Sequence, residues 1–236
     1  MSRELVLIVH DDLGSRLDFA HLAIALASEG FVVAATDSEN SILLPTLSKH
    51  DDENELLQRR VRDTEFAVRE IRNRFEVKRK VGLVGHGQGA KVVTHMESRF
   101  KGAFARIAIA GLYIDSNTNG PLDCVLQDPF LPVLGELDGI TPEWTVVPHL
   151  GKRSPLMIPK ACRMSFRCHA MCRFLKETLM PLLEFVPSGI SEDCTVDISN
   201  YRKGGNASEI AEFLMPYVYR FFLANLREED DHHHNE

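Results

Sequence analysis

A glycine-rich turn directly after an apolar run is the first place in the sequence where chemistry is expected. The run Val81–Val84 is continuous, as a strand buried on both faces should be, and Gly85-His86-Gly87-Gln88-Gly89 follows it. A turn of this kind between a strand and a helix can bind a phosphate. A Walker A loop needs a Lys before Ser or Thr, however, and residues 88–90 supply neither. The turn therefore does not indicate a Walker-type nucleotide site.

A second loop with ionisable side chains follows the apolar run Leu5–Val9 and reads His10-Asp11-Asp12. In a parallel sheet, ligands bind outside the carboxyl ends of the strands, so both loops are expected at one pocket. Asp11 and Asp12 are then candidate ligand contacts at the pocket mouth. The ordinary alternative is that they are plain loop carboxylates, with His10 ending the strand and hydrogen-bonding the loop.

Alternating strands and helices predict an α/β fold with a mainly parallel, doubly wound sheet and helices on both faces. We expect strands near residues 5–9, 31–35, 81–84, 106–110, 131–134 and 162–166, and helices near 19–29, 57–71, 88–100 and 208–226. The chain has 236 residues and no internal repeat, which favours one domain over residues 1–226. Residues 227–236 form a charged, histidine-containing tail that we expect to be disordered.

The turn around Gly87 resembles the nucleophile elbow of α/β-hydrolases, whose motif is G-x-S-x-G. Residues 5–15 are similar to that family's first strand and H-G-x-G oxyanion loop, and residues 133–142 resemble the strand and turn that present its acid. The resemblance implies that Asp138 is the acid, His169 the base and the Gln88 amide an oxyanion donor. The order Gly87, Asp138, His169 is the family order of nucleophile, acid and base. Among hydrolases, the chain is similar to small members without a large cap domain, such as dienelactone hydrolases, chlorophyllases and platelet-activating-factor acetylhydrolases.

Two departures from the family pattern bear on function. Gly87 has no hydroxyl group, and the oxyanion loop carries Asp11 and Asp12, whereas ester hydrolysis needs donors aimed at a developing negative charge. Three interpretations of Gly87 stay open: catalysis is no longer selected, a serine was removed deliberately, or the site never used covalent catalysis. A glycine also accepts the positive φ of the elbow without strain.

Three functional hypotheses follow. The first is a non-covalent enzyme, or decayed esterase, in which a His169–Asp138 dyad acts as general base on a small ester-like, lactone-like or apolar molecule. The second is a pseudo-hydrolase that binds a small apolar ligand or a protein partner. The third is a serine hydrolase captured as a Ser-to-Gly variant. If side chains fill the pocket, the partner-binding form of the second is favoured.

Several candidate residues have plainer interpretations. Asp138 could cap the turn before Thr141-Pro142, which is a common position for Asp. His149 is the rival for the base, although it precedes the expected last strand. Cys168 is adjacent to His169 in sequence, and adjacent residues rarely place a thiol and its base in a productive geometry, so a cysteine nucleophile is not favoured.

Composition and charge argue against several classes of protein function. The net charge is −7, and no basic stripe with interleaved aromatic residues is evident, so no nucleic-acid partner is expected. No apolar run reaches the roughly 18 residues of a membrane span. The N-terminus does not resemble a signal peptide, and a cytoplasmic location is expected.

The five cysteines favour reduced thiols over a disulfide framework or a metal site. No cofactor and no metal are implied; a small-molecule substrate or ligand is expected, and a homo-oligomer stays open.

Overall fold

The computed structural model describes residues 2–12, 14–38, 53–96, 104–112, 129–168, 177 and 205–227. Within these ranges, six strands form one sheet in the order β2-β1-β3-β4-β5-β6, and all neighbours pair in parallel. The strands are β1 (Arg3–Val9), β2 (Val32–Thr36), β3 (Val77–His86), β4 (Phe104–Ile109), β5 (Phe130–Gly135) and β6 (Leu156–Ile158). The helices are α1 (Ala20–Ser28), α2 (Glu53–Arg74), α3 (Gln88–His95), α4 (Glu143–Val146) and α5 (Ala207–Leu226), with 3-10 turns at Val147–His149 and Arg163–Phe166.

Helices cover both faces of the sheet, as the sequence predicts. On one face, α1 and α5 pack in a core that includes Leu22, Leu26 and Phe222. On the other face, α2 and α3 pack in a second core with Val68 and Val92, and Leu57 and Val61 of α2 also face inward. The fold is therefore a doubly wound, parallel α/β sheet.

The point where the strand order reverses lies between β1 and β3. From β1 the chain crosses to β2 on one side, and from β3 it crosses to β4 on the other. Val9 and Gly85 are paired near the ends of these two strands, so the loops that follow diverge from adjacent positions. Such a reversal leaves a crevice at the carboxyl edge, where ligands bind in open α/β sheets.

The predicted sixth strand at residues 162–166 is wrong. Arg163–Phe166 is a 3-10 turn, and the sixth strand is Leu156–Ile158. The backbone N–H of Cys162 donates to Ser165 Oγ at 3.1 Å, and the Ser165 N–H donates to the Cys162 carbonyl at 3.0 Å. This local bonding closes a turn in the segment where the sequence predicts a strand.

Two predicted helix boundaries are confirmed. Gly30 ends α1 with a φ of +94°, and the Phe31 N–H donates to the Leu26 carbonyl at 3.2 Å, as in a glycine-terminated helix. Asn206 caps α5, since its side chain accepts a hydrogen bond from the Ser208 N–H at 3.0 Å. The helix after Gln88 ends earlier than predicted, since α3 stops at His95 and Met96 has an extended ψ of 106°, whereas the prediction extends to about residue 100. The tail at 228–236 lies outside the described residues.

Candidate functional site

The turn between β3 and α3 has the geometry expected for a nucleophile elbow. Gly87 lies between the last residue of β3 and the first of α3, with φ +55° and ψ −114°. Its N–H donates to the Ile109 carbonyl on β4 at 2.9 Å, and its carbonyl accepts from the Ala90 N–H at 3.1 Å. The chain therefore turns sharply from strand to helix, which places position 87 at the carboxyl edge of the sheet.

The flanking glycines permit close contacts that a side chain would prevent. A Cβ on Gly85 would lie 2.2 Å from the Gly89 carbonyl oxygen, and a Cβ on Gly89 would lie 2.1 Å from the Val9 carbonyl oxygen. Both distances are far below van der Waals contact. The G-x-G-x-G spacing is therefore explained by packing of the turn against itself and against β1.

The space beside Gly87 is occupied by the side chain of Asp11. Asp11 is 4% exposed, and its Oδ1 accepts a hydrogen bond from the Gln88 N–H at 2.7 Å. A Cβ on Gly87 would lie 2.1 Å from that same oxygen. A carboxylate from the β1 loop thus fills the volume that a side chain at position 87 would need, and it uses the N–H that the sequence predicts as an oxyanion donor.

Arg163 neutralises this carboxylate through a bidentate ion pair. Its Nε donates to Asp11 Oδ2 at 2.6 Å, and its Nη2 donates to Asp11 Oδ1 at 2.5 Å. Arg167 adds a longer contact, with Nη2 at 3.5 Å from Oδ2. Burial alone would raise the pKa of Asp11, but the charge and hydrogen bonds of Arg163 outweigh burial and hold that pKa well below its ordinary value. Asp11 is therefore a buried, ionised and fully paired carboxylate.

His86 supports Arg163 and stays neutral. The His86 ring is fully buried, and its Nε2 lies 2.9 Å from the Arg163 carbonyl oxygen, which can only accept, so Nε2 carries the proton. Its Nδ1 lies 4.0 Å from Asp11 Oδ2. Burial is the main cause that lowers the pKa of His86 to about 3. His86 is thus a structural histidine, as the sequence favours.

His10 holds the acidic loop in place, also as expected. Its Nε2 accepts from the Ser38 N–H at 3.1 Å, so the proton lies on Nδ1, which donates to the Asp11 carbonyl at 2.5 Å. Burial lowers the pKa of His10 to about 4.

Asp12, the second carboxylate of this loop, does not lie beside Gly87: its side chain is 40% exposed and pairs with Arg60 at 2.8 Å. Only one of the two loop carboxylates therefore enters the pocket.

Asp138 lies in the turn after β5 and is 4% exposed. Its Oδ1 accepts from the Ile140 and Thr141 N–H groups, both at 2.9 Å, which is the turn-capping arrangement. Its Oδ2 is buried and makes no hydrogen bond within the part of the chain that the structure describes. Burial raises the pKa of this carboxyl. His169 lies outside the described residues, so its pairing with Asp138 stays a prediction.

Sequence reasoning missed the role of Arg163. The residue stands in a segment predicted as a strand, 152 positions from Asp11. One signal was available: a loop with two carboxylates at a pocket needs cations, and Arg163 and Arg167 are spaced four apart in an otherwise apolar segment. That signal identifies candidates but not which arginine meets which carboxylate.

The described ranges contain neither a metal-binding cluster nor a membrane-spanning helix. No three His, Cys, Asp or Glu side chains there are grouped so that they could hold a metal ion. Among the helices described, none is both long and apolar enough to cross a membrane.

No protein-family model and no curated protein matches the sequence. Solved structures match in fold. Esterase PE8 superposes with a TM-score of 0.54 at 16% identity, covering 75% of this chain and 93% of its own. Est1E from Butyrivibrio proteoclasticus superposes with a TM-score of 0.52 at 14% identity, covering 78% of this chain and 89% of its own. An alpha-beta serine hydrolase homologue from Coxiella burnetii superposes with a TM-score of 0.52 at 16% identity, covering 78% of this chain and 86% of its own. The chain therefore has the α/β-hydrolase fold; at these identities the likeness extends to the fold alone.

Proposed function

We propose that this chain is a non-catalytic α/β-hydrolase-fold protein that acts by binding a partner. The observation that carries the proposal is the position of the Asp11 carboxylate, which occupies the space beside Gly87 and accepts the Gln88 N–H at 2.7 Å. Acyl transfer needs a nucleophile and free donors for the oxyanion. Gly87 supplies no nucleophile, and a fixed negative charge stands where the oxyanion would form.

Asp11 is poorly suited to replace the missing serine. Both of its oxygens accept charge-assisted hydrogen bonds from Arg163, and a carboxylate held in this way is a weak nucleophile and a weak base. Attack by Asp11 would also require it to leave the Gln88 N–H. The same contacts argue against a recently removed serine, because a Cβ at position 87 would lie 2.3 Å from Arg163 Nη2.

Exposed apolar side chains at the same edge of the sheet favour a protein partner. Leu17, in the loop after β1, is 50% exposed, and Trp144, on α4 after β5, is 75% exposed. Val147 follows at 39%. An exposed Trp is among the residue types that contribute most to protein interfaces.

A second candidate function rests on Asp138. Its Oδ2 is a buried carboxylate oxygen with no hydrogen bond in the described ranges, and such an atom usually has a partner. If that partner is His169, the pair could act as a general base without a covalent step. This candidate predicts slow ester or lactone hydrolysis that depends on both residues and forms no acyl-enzyme.

Ester hydrolysis tests both candidates. We expect the wild-type protein to hydrolyse short-chain nitrophenyl esters no faster than a His169→Ala variant does, and a fluorophosphonate probe to label neither. Hydrolysis that is lost in both His169→Ala and Asp138→Asn would favour the general-base enzyme. A burst of product with a trapped acyl group would contradict the absence of a nucleophile and with it the proposed function.

A further inference from the structure

The donors around Asp11 form a binding site in their own right. Oδ1 accepts from the Gln88 N–H at 2.7 Å and from Arg163 Nη2 at 2.5 Å. Oδ2 accepts from Arg163 Nε at 2.6 Å, with Arg167 Nη2 at 3.5 Å. We propose that the pocket beside Gly87 is a carboxylate-binding site in which the Asp11 side chain is the resident ligand. The inference rests on the proposed function, because it assigns the filled pocket a ligand class.

The geometry selects a carboxylate over other anions. The Nε and Nη2 groups of Arg163 present two parallel N–H bonds, which match the two oxygens of one carboxylate. The Gln88 N–H is at the first residue of α3, where the helix dipole favours negative charge. A spherical anion such as chloride can meet only part of this donor set.

The backbone that carries each donor is held by contacts that do not involve the Asp11 side chain. The Arg163 carbonyl accepts from His86 Nε2 at 2.9 Å, which fixes the start of the 3-10 turn against the end of β3. The position of Gln88 follows from the Gly87 turn, in which the Gly87 N–H bonds to the Ile109 carbonyl at 2.9 Å. Removal of the Asp11 side chain should therefore leave the donors close to their present positions.

Asp11→Gly removes a CH₂–COO⁻ group, and acetate has the same size and charge. In this variant the partly buried Arg163 guanidinium loses its bidentate partner, which is destabilising. We expect sodium acetate or formate to raise the Tm of Asp11→Gly by a few degrees in a saturable manner, because a ligand that binds only the folded state stabilises it. Sodium chloride at equal ionic strength should have a clearly smaller effect, and the wild type should not respond to acetate beyond its response to chloride.

Two companion variants keep the test decisive. Asp11→Gly/Arg163→Met removes the bidentate donor and should abolish the acetate effect. If Asp11→Gly does not fold in chloride, refolding in acetate against refolding in chloride gives the same comparison, and Asp11→Asn, which retains the side-chain volume, should refold equally in both salts. Equal responses of Asp11→Gly to acetate and chloride would overturn the proposal. Because the readout is thermal, this failure is independent of the ester assays that test the proposed function.

Discussion

At the scale of single residues, one buried carboxylate determines what the pocket can do. A buried ion pair stabilises the folded state little more than apolar residues of similar size would, but a buried charge without a partner destabilises it strongly. Asp11 and Arg163 therefore depend on each other, and neither can be replaced alone without penalty. The pair also excludes a nucleophile at position 87, since the side-chain volume there is already filled.

Gly87→Ser should lower stability by more than backbone strain alone. Strain at a positive φ costs about 1–3 kcal/mol for a non-glycine residue. At position 87, the new Cβ would also lie 2.1 Å from Asp11 Oδ1, so the ion pair must shift. Urea unfolding measures the change in the free energy of unfolding.

Gly30→Ser is the matched control for this experiment. Gly30 also has a positive φ, +94°, but nothing lies within 4 Å of a Cβ built there. The difference between the two variants isolates the clash. Equal losses of stability at both positions would show that the space beside Gly87 is open and would contradict the placement of Asp11.

The sequence predicts the turn at Gly87 but not its occupant. Glycines at 85, 87 and 89 after an apolar run carry a local signal, because the turn forms from consecutive residues. The Asp11–Arg163 pair joins residues 152 positions apart, and its existence depends on tertiary packing that no spacing encodes. The negative charge of Asp11 is balanced by Arg163, which stands in a segment that the sequence predicts as a strand.

At the scale of elements, the predicted strands lie close to β1–β5 and the helix predicted at 57–71 lies within α2. The sixth strand could not be predicted from the pattern of apolar residues. Leu156–Ile158 is only three residues long between Pro155 and Pro159, so it is too short to show a period. The segment predicted as the sixth strand, residues 162–166, is a turn closed by Ser165.

The contact between the end of β3 and the 3-10 turn Arg163–Phe166 should make stability depend on pH. The pKa of His86 is about 3 in the folded chain, against an ordinary value of 6.5, because burial disfavours the charged ring. Below pH 6.5 the unfolded chain therefore binds a proton that the folded chain does not. The resulting stability is fully present above pH 6.5 and is lost as the pH falls toward 3. His10, with a pKa of about 4, acts in the same direction.

His86→Gln should flatten this pH dependence. A single proton contributes a slope of at most about 1.4 kcal/mol per pH unit, and the variant should lose most of that contribution between pH 6 and pH 4. Urea unfolding at several pH values measures the slope, and His149→Gln serves as the control for replacing a histidine in general. A slope that is equal in His86→Gln and the wild type would show that the His86 ring is not buried in its neutral form.

At the scale of the whole molecule, buried charges connect the loop after β1 to the segment after β6. Besides Asp11 with Arg163, the side chains of Asp18 and Arg167 approach to 3.5 Å, and the Cys168 N–H donates to the Asp18 carbonyl at 2.5 Å. These contacts cross the crevice where the strand order reverses. Within the described residues, these ion pairs link the two segments at the carboxyl edge of the sheet.

The coupling energy between Asp11 and Arg163 tests this account most directly. A double-mutant cycle with Asp11→Leu, Arg163→Met and both together measures that energy by urea unfolding. We expect each single variant to lose about 3–5 kcal/mol, because it removes the bidentate partner of the remaining charge, and the double variant to lose far less than the sum. Losses that add to within about 0.5 kcal/mol would mean that the two residues do not meet, and that the site beside Gly87 is open.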